Sequence, residues 1–197
     1  MIMIVSPLLG LLGIALSGGQ LARLGTLRLR GVWTVWLSIA LQVLISSQGR
    51  HMPGTIAEAL HLASYALSAT FIWFNRSLPG ARIVALGGAL NLAAIITNGG
   101  TMPATQWAWR TSGLGAIAPG QFENSAVSDS SAVWFFGDVF AIPSGLPFAN
   151  VFSLGDVVLV GGFVVLAHRV CRPPRSTTVE VTRTAMPAPQ RSVTVGG

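Results

Sequence analysis

The chain contains no lysine, a single cysteine at Cys171, and only six acidic residues in 197. A lone cysteine excludes an internal disulfide and any metal cluster built from thiolates. With 9% charged and 51% hydrophobic residues, the composition also lacks the polar surface that a water-soluble domain exposes. No Gly-rich phosphate loop, nucleophile motif or cofactor fingerprint occurs, so no cofactor is expected.

What the sequence does contain is long apolar runs, at about residues 1–16, 32–46, 55–74, 83–97 and 154–167. Crossing a ~30 Å hydrocarbon core takes roughly 20 helical residues, so several runs span only with their Gly, Ser and Trp flanks. The opening run lacks a basic segment before it and reads as a span rather than a cleaved signal, although Ala15-Leu16-Ser17 resembles a cleavage site. The expected fold is an all-α integral membrane protein. About five transmembrane helices occupy residues 1–170, one long outer loop covers 98–153, and residues 171–197 form a disordered cytoplasmic tail.

The arginines orient this bundle. Arg23, Arg28 and Arg30 lie between the first two spans, Arg76 and Arg82 between the third and fourth, and Arg169, Arg172, Arg175, Arg183 and Arg191 at or after the end of the last. Only Arg50 and Arg110 fall in the other two loops. The positive-inside rule then places the amino terminus outside and the carboxyl terminus in the cytoplasm of a multi-pass inner-membrane protein. The net charge of +6 is thus a topology signal; the expected partner is the lipid bilayer, not nucleic acid.

The third and fourth runs are joined by a Pro79-Gly80 turn, and Gly87, Gly88 and Ala89 are candidates for close helix contact. In the long loop, residues 113–131 are small and polar enough to be mobile. Residues 134–152 carry aromatics and prolines suited to the membrane interface, as do Trp107 and Trp109.

Ionisable residues inside apolar runs are costly unless they serve a purpose. Glu58, His61 and Tyr65 follow one helix face. Glu58 and His61 have the E-x-x-H spacing of metal ligands in some helical bundles, but a second such pair is absent, so no metal is expected. His61 is then either a hydrogen-bonded structural residue or a group that orients substrate.

The tripeptide Gly-Asp-Val occurs twice, at Asp138 and Asp156, separated by turn formers at Pro143, Gly145 and Pro147. Two carboxylates brought together cannot both ionise easily, so one serves as acid and the other activates water, the chemistry of an aspartic hydrolase. Each aspartate also has a structural reading: Ser153 to Asp156 fits a capping box, and Asp138 fits a turn. Asn98 and Asn150 flank the loop as turn residues or substrate-binding ones.

Two resemblances follow from these motifs. The spans together with NGGTMP at 98–103, Gly137-Asp138, and NVFSLGD at 150–156 resemble an uncharacterised family of small bacterial polytopic membrane proteins that carry a domain of unknown function. This implies the topology and marks those motifs. The last four spans are similar to lipoprotein signal peptidases (signal peptidase II), four-span aspartic proteases with one catalytic aspartate in the outer loop and another at the start of the last span. Phe152 to Val157 resembles their F-N-x-A-D-S motif, and Gly87 to Asn91 their G-G-A-L-G-N stretch. Ser153 replaces the motif asparagine, no Asp-Arg pair follows Asn91, the loop is longer, and there is an additional first span.

The resemblance implies a catalytic pair of Asp138 and Asp156. The expected function is an aspartic hydrolase acting on an amphiphilic, lipid-linked or membrane-peptide substrate, which an apolar bundle with an interfacial loop suits, with His61, Asn98 and Asn150 expected on the substrate side. The rival expectation is a non-enzymatic membrane component, such as a sensor, assembly factor or accessory subunit, that binds a ligand or partner through the outer loop.

Overall fold

A computed structural model describes residues 10–16, 18–48, 51–115, 125–128 and 133–172. The expectations for the start of the first span, for much of the small polar stretch of the loop, and for the tail beyond Arg172 lie outside these residues. The described chain is mostly helical. Residues 10–16 are helical, and a short 3-10 helix covers Leu21–Thr26. Helices α1 (Val32–Gln48), α2 (Gly54–Phe74), α3 (Ala81–Thr97), α4 (Gln106–Ser112) and α5 (Leu154–Cys171) follow.

The four long helices coincide with the last four apolar runs, and their ends are set by local chemistry. Gly80 precedes α3 in the left-handed conformation with φ 82°, which a side chain would disfavour. Ser153 opens α5 with a capping box in which its hydroxyl accepts from Asp156 N and Asp156 accepts from Ser153 N. Among the described residues, one helix, α5, is long and apolar enough to cross a membrane. Helices α1 and α3 are apolar but 17 residues each. At 21 residues, α2 is longer, but Glu58, His61, Ser64 and Ser68 interrupt it.

Helices α1 and α2 pack as one pair and α3 and α5 as another, with α2 and α3 in contact between them. Small residues set the α3–α5 distance. A methyl group on Gly87 would fall 2.6 Å from Gly155 O and 2.7 Å from Leu159 N, and one on Gly162 would fall 2.7 Å from Val84 N. Gly80 in turn lies against Gly162 O. Because Gly80 meets Gly162 while Gly87 meets Gly155, the helices run antiparallel and touch two turns apart. Gly88 and Ala89, expected beside Gly87 as packing positions, do not pack there. A methyl group on Gly88 meets open space and Ala89 is exposed, since each step along a helix turns the side chain by about 100°.

The α1–α2 pair is joined by hydroxyls: Ser38 Oγ donates to Ser64 O at 2.9 Å, and Gln42 Nε2 donates to Ser64 Oγ at 2.6 Å. At the end of α2, buried Asn75 binds both backbone groups of Arg30, accepting from its N at 2.9 Å and donating to its O at 2.8 Å.

The connection from α3 to α5 amends the all-α expectation. Strand β1 (Met102–Ala104) pairs in parallel with β2 (Ser125–Val127), Pro103 opposite Ala126. Strand β3 (Phe140–Ile142) pairs antiparallel with β4 (Asn150–Phe152), Ala141 opposite Val151. Ala104 forms a further bridge with Asp138. The reason is backbone hydrogen bonding: chain folded onto apolar helix ends must satisfy its own N–H and C=O groups.

Substitution at the α3–α5 contact tests this packing. Gly87→Val is expected to lower stability by about 1–3 kcal/mol through overpacking, whereas Gly88→Ala is neutral or stabilising by up to ~1 kcal/mol. Thermal unfolding midpoints in detergent measure both, and equal losses at the two positions would contradict the contact.

Candidate functional site

At the loop end of the bundle, α5 begins where α3 nears its end, and the glycine contact brings their polar residues together. Asn91 lies one turn beyond Gly87. Its Nδ2 donates to Asp156 Oδ1 at 2.8 Å, and its Oδ1 accepts from Ser153 Oγ at 2.8 Å. Asp156 Oδ2 accepts from Ser153 N at 3.1 Å. Asn91 and Ser153 are buried, and Gly155 has no room for a side chain because Asn91 occupies that space. The capping reading of Asp156 is therefore correct, and it is incomplete: the same carboxylate also ties α5 to α3.

Asp138 reaches this region from the loop. Gly137 packs directly on Pro103 O, Asp138 N donates to Pro103 O at 2.8 Å, and Thr105 N donates to Asp138 O at 3.1 Å. Its side chain is 5% exposed. Ser125 Oγ donates to Oδ2 at 2.6 Å, while Oδ1 has no hydrogen-bond partner among the described residues. Burial pushes the Asp138 carboxyl up to about 7; the Ser125 hydroxyl opposes this shift and the charge of Asp156 adds to it. The two aspartates are thus within electrostatic reach of each other. Tyr65 of α2 lies within reach of both and against Asn91. Its ring also packs on the cluster of Ala94, Ile95 and Met102.

The other sequence candidates are placed as follows. Buried His61 has Nδ1 at 3.0 Å from Gly100 O and its ring edge-on to Tyr65, with centroids 5.5 Å apart. Glu58 packs its side chain on Gly100, so the E-x-x-H pair holds the turn after α3. Asn98 Nδ2 donates to Thr101 O at 2.9 Å, and its Oδ1 accepts from Ser128 Oγ at 2.8 Å. Asn150 lies in β4, where its Oδ1 accepts from Val151 N. The structure therefore places Asp138 and Asp156 at the same end of the bundle, within electrostatic reach but on different hydrogen-bond partners, sets His61 near them through Tyr65, and ties Asn98 and Asn150 to the loop backbone.

Tyr65, Asn91, Ser125 and Ser153 complete the cluster. Asn91 had a readable signal, an amide alone in an apolar run one turn after a glycine; Ser125 had none. A groove along Ser38, Ile39, Gln42, Val43, Ser46 and Ser47 lies on α1 and holds no titratable group. Titratable groups lie in the aspartate cluster instead: a carboxyl whose pKa burial raises to about 7, and within electrostatic reach a second carboxyl fixed by two N–H donors.

Fold and site together define a small helical protein with an acidic cluster where a structured loop closes over one end of the helices. The chain belongs to the Family of unknown function (DUF5317), which matches residues 26–167. No curated protein and no solved structure matches it.

The buried Asp138 gives a pH dependence of definite sign. Its carboxyl titrates near 7 in the folded chain and near 3.8 in the unfolded one, so the folded state holds the extra proton between these values. This contribution is fully present below about pH 4 and is lost as pH rises through 7, a change on the order of 4 kcal/mol. Unfolding midpoints in detergent are expected to fall from pH 5 to pH 8 in the native chain, by the part of that change that lies above pH 5, about 3 kcal/mol, and to flatten in Asp138→Asn.

Proposed function

We propose that the protein is a multi-pass inner-membrane protein, with its amino terminus outside and its carboxyl terminus in the cytoplasm. We further propose that the Asp138–Asp156 pair on its outer face is the acid–base centre of an aspartic hydrolase for lipid-linked or membrane-peptide substrates. The membrane reading draws on exposed apolar surface: Trp33, Trp36, Val43, Leu86 and Ile96 are all more than half exposed along the helices, too much for a surface facing water. Orientation follows from the distribution of arginine.

The hydrolase reading is carried by the unequal environments of two interacting carboxyls. Asp156 takes a proton from water as the oxygen adds to the substrate carbonyl, and Asp138 gives its proton to the carbonyl oxygen. On collapse, Asp156 passes the proton to the leaving group and Asp138 recovers one from the second hydroxyl. Tyr65 and Asn91 fix the positions of the pair, and His61 and Asn98 hold the loop edge past which an amphiphile enters from the bilayer. One carboxyl in the loop and one at the start of the last helix is the layout that resembles signal peptidase II.

A second reading, a non-enzymatic membrane component, is favoured by the engagement of both Asp156 oxygens and by the burial of Asp138. Under it, the cluster is a clasp that shapes the loop for a ligand or partner.

Complementation of a deletion strain separates the two. Glutamate is favoured at the third position of a capping box, so Asp156→Glu keeps the cap while moving the carboxylate by about 1 Å, enough to cost ~100-fold in rate. Catalysis predicts that Asp156→Glu and Asp138→Asn accumulate in the membrane at normal levels without function. Full function in both variants would remove the hydrolase and leave the clasp. Orientation is tested by thiol labelling of intact cells: Ser144→Cys reacts with an impermeant reagent and Ser77→Cys does not. The native Cys171 can stay in place because it is fully buried.

A further inference from the structure

The end of the bundle opposite the acidic cluster gathers most of the described arginines. Three segments meet there. Asn75 clamps Arg30 and so sets the linker before α1, with Arg28, against the α2–α3 link that carries Arg76. Arg23 Nη1 donates to Arg172 O at 2.9 Å, and Gln20 N donates to Cys171 O at 2.9 Å, which fixes the start of that linker on the end of α5. Arg82 in the first turn of α3 and Arg169 in the last turns of α5 lie at the same end, because these helices run antiparallel with Gly80 against Gly162.

Apart from half-buried Arg23, these side chains are exposed, and none forms an ion pair among the described residues. The described acids, Glu58, Asp138 and Asp156, all sit at the other end. Two indoles mark the level: Trp33 and Trp73 are 64% and 65% exposed, and the Arg76 guanidinium lies 4.8 Å above the Trp73 ring.

We infer that this end is a binding surface for the phosphodiester headgroups of anionic phospholipids. Membrane orientation needs only an excess of positive charge on one side, which scattered flexible residues supply. Here the charges sit on segments pinned by side-chain and backbone hydrogen bonds, so the array is preorganised. All of them are arginine, whose planar fork matches phosphate oxygens in pairs, whereas lysine acts as a point charge. Neighbouring guanidinium groups without carboxylates repel one another, and a bound anion relieves this. Exposed tryptophans at the same level seat the surface where headgroups lie.

This inference rests on the chain being membrane-embedded, but not on which side the end faces nor on any role of the aspartate pair. The full chain, purified in neutral detergent, is titrated with short-chain phosphatidylglycerol, short-chain phosphatidylcholine and inorganic phosphate, with binding read by native mass spectrometry. Its unfolding midpoint is compared in nanodiscs of phosphatidylcholine with and without phosphatidylglycerol. Phosphatidylglycerol is expected to bind and to raise the midpoint. Arg28→Gln and Arg82→Gln, neither of which breaks a structural hydrogen bond, should each weaken its binding about fivefold. Equal binding and equal midpoints for the two lipids would overturn the inference, and this comparison needs no variant. Inorganic phosphate binding as tightly as the lipid would overturn its assignment to a headgroup. Extraction of the protein from membranes by alkaline carbonate would instead strike the membrane reading itself.

Discussion

Helices reach backbone contact only where no side chain stands between them, and α3 and α5 meet this condition at Gly80, Gly87, Gly155 and Gly162. The site at the loop end depends on that contact. Asn91 lies one turn past Gly87, and at this separation its amide spans to Asp156 and Ser153 at 2.8 Å. One added methyl group at the glycines would push the amide out of range, and the cap of α5 would lose its tie to α3. Dispersion falls off steeply with separation, so helices this close gain contact that bulkier residues would deny them.

The loop is held by the platform that this contact creates. Asn98 to Pro103, Gly137-Asp138 and Asn150 to Asp156 lie apart in sequence, yet they gather at the same end of the helices. Gly137 lies on Pro103, Asp138 bridges to Ala104, and β4 leads directly into the cap of α5. Asp138 enters with its backbone satisfied and its side chain held by Ser125. Burial then makes its proton hard to remove. The proposed catalysis and the loop anchoring would use the same few atoms, so either proposed role requires the same geometry.

The molecule is polar along its long axis. Its described carboxylates lie at one end and most of its arginines at the other, separated by helices of 17 to 21 residues, about 25–30 Å. That length is close to the hydrocarbon thickness of a bilayer. Between the ends the polar side chains include Ser38 and Gln42, which hydrogen-bond Ser64 of the neighbouring helix and carry no charge. Under the proposed membrane topology, such a body would present two different surfaces to the two sides of a bilayer with little charge to desolvate in between.

Apolar runs determined where α1, α2, α3 and α5 lie, because a helix must satisfy its own backbone wherever water is scarce. The Ser153 to Asp156 spacing likewise determined the start of α5, since a capping box is a local hydrogen-bond pattern. The repeated Gly-Asp-Val pointed to both aspartates. Their partners were not legible: Asn91 and Asp156 lie 65 positions apart, and Ser125 meets Asp138 only after β2 has paired with β1. Strands of three residues carry too little alternation to be read, and they exist because the helix ends give them a surface to pair on. Which face of α3 would carry the contact was also undecided, and Gly87 rather than Gly88 was selected by the direction in which α5 crosses it. Local chemistry fixed the elements; the approach of two helices, a sum of contacts distant in sequence, fixed what the polar residues became.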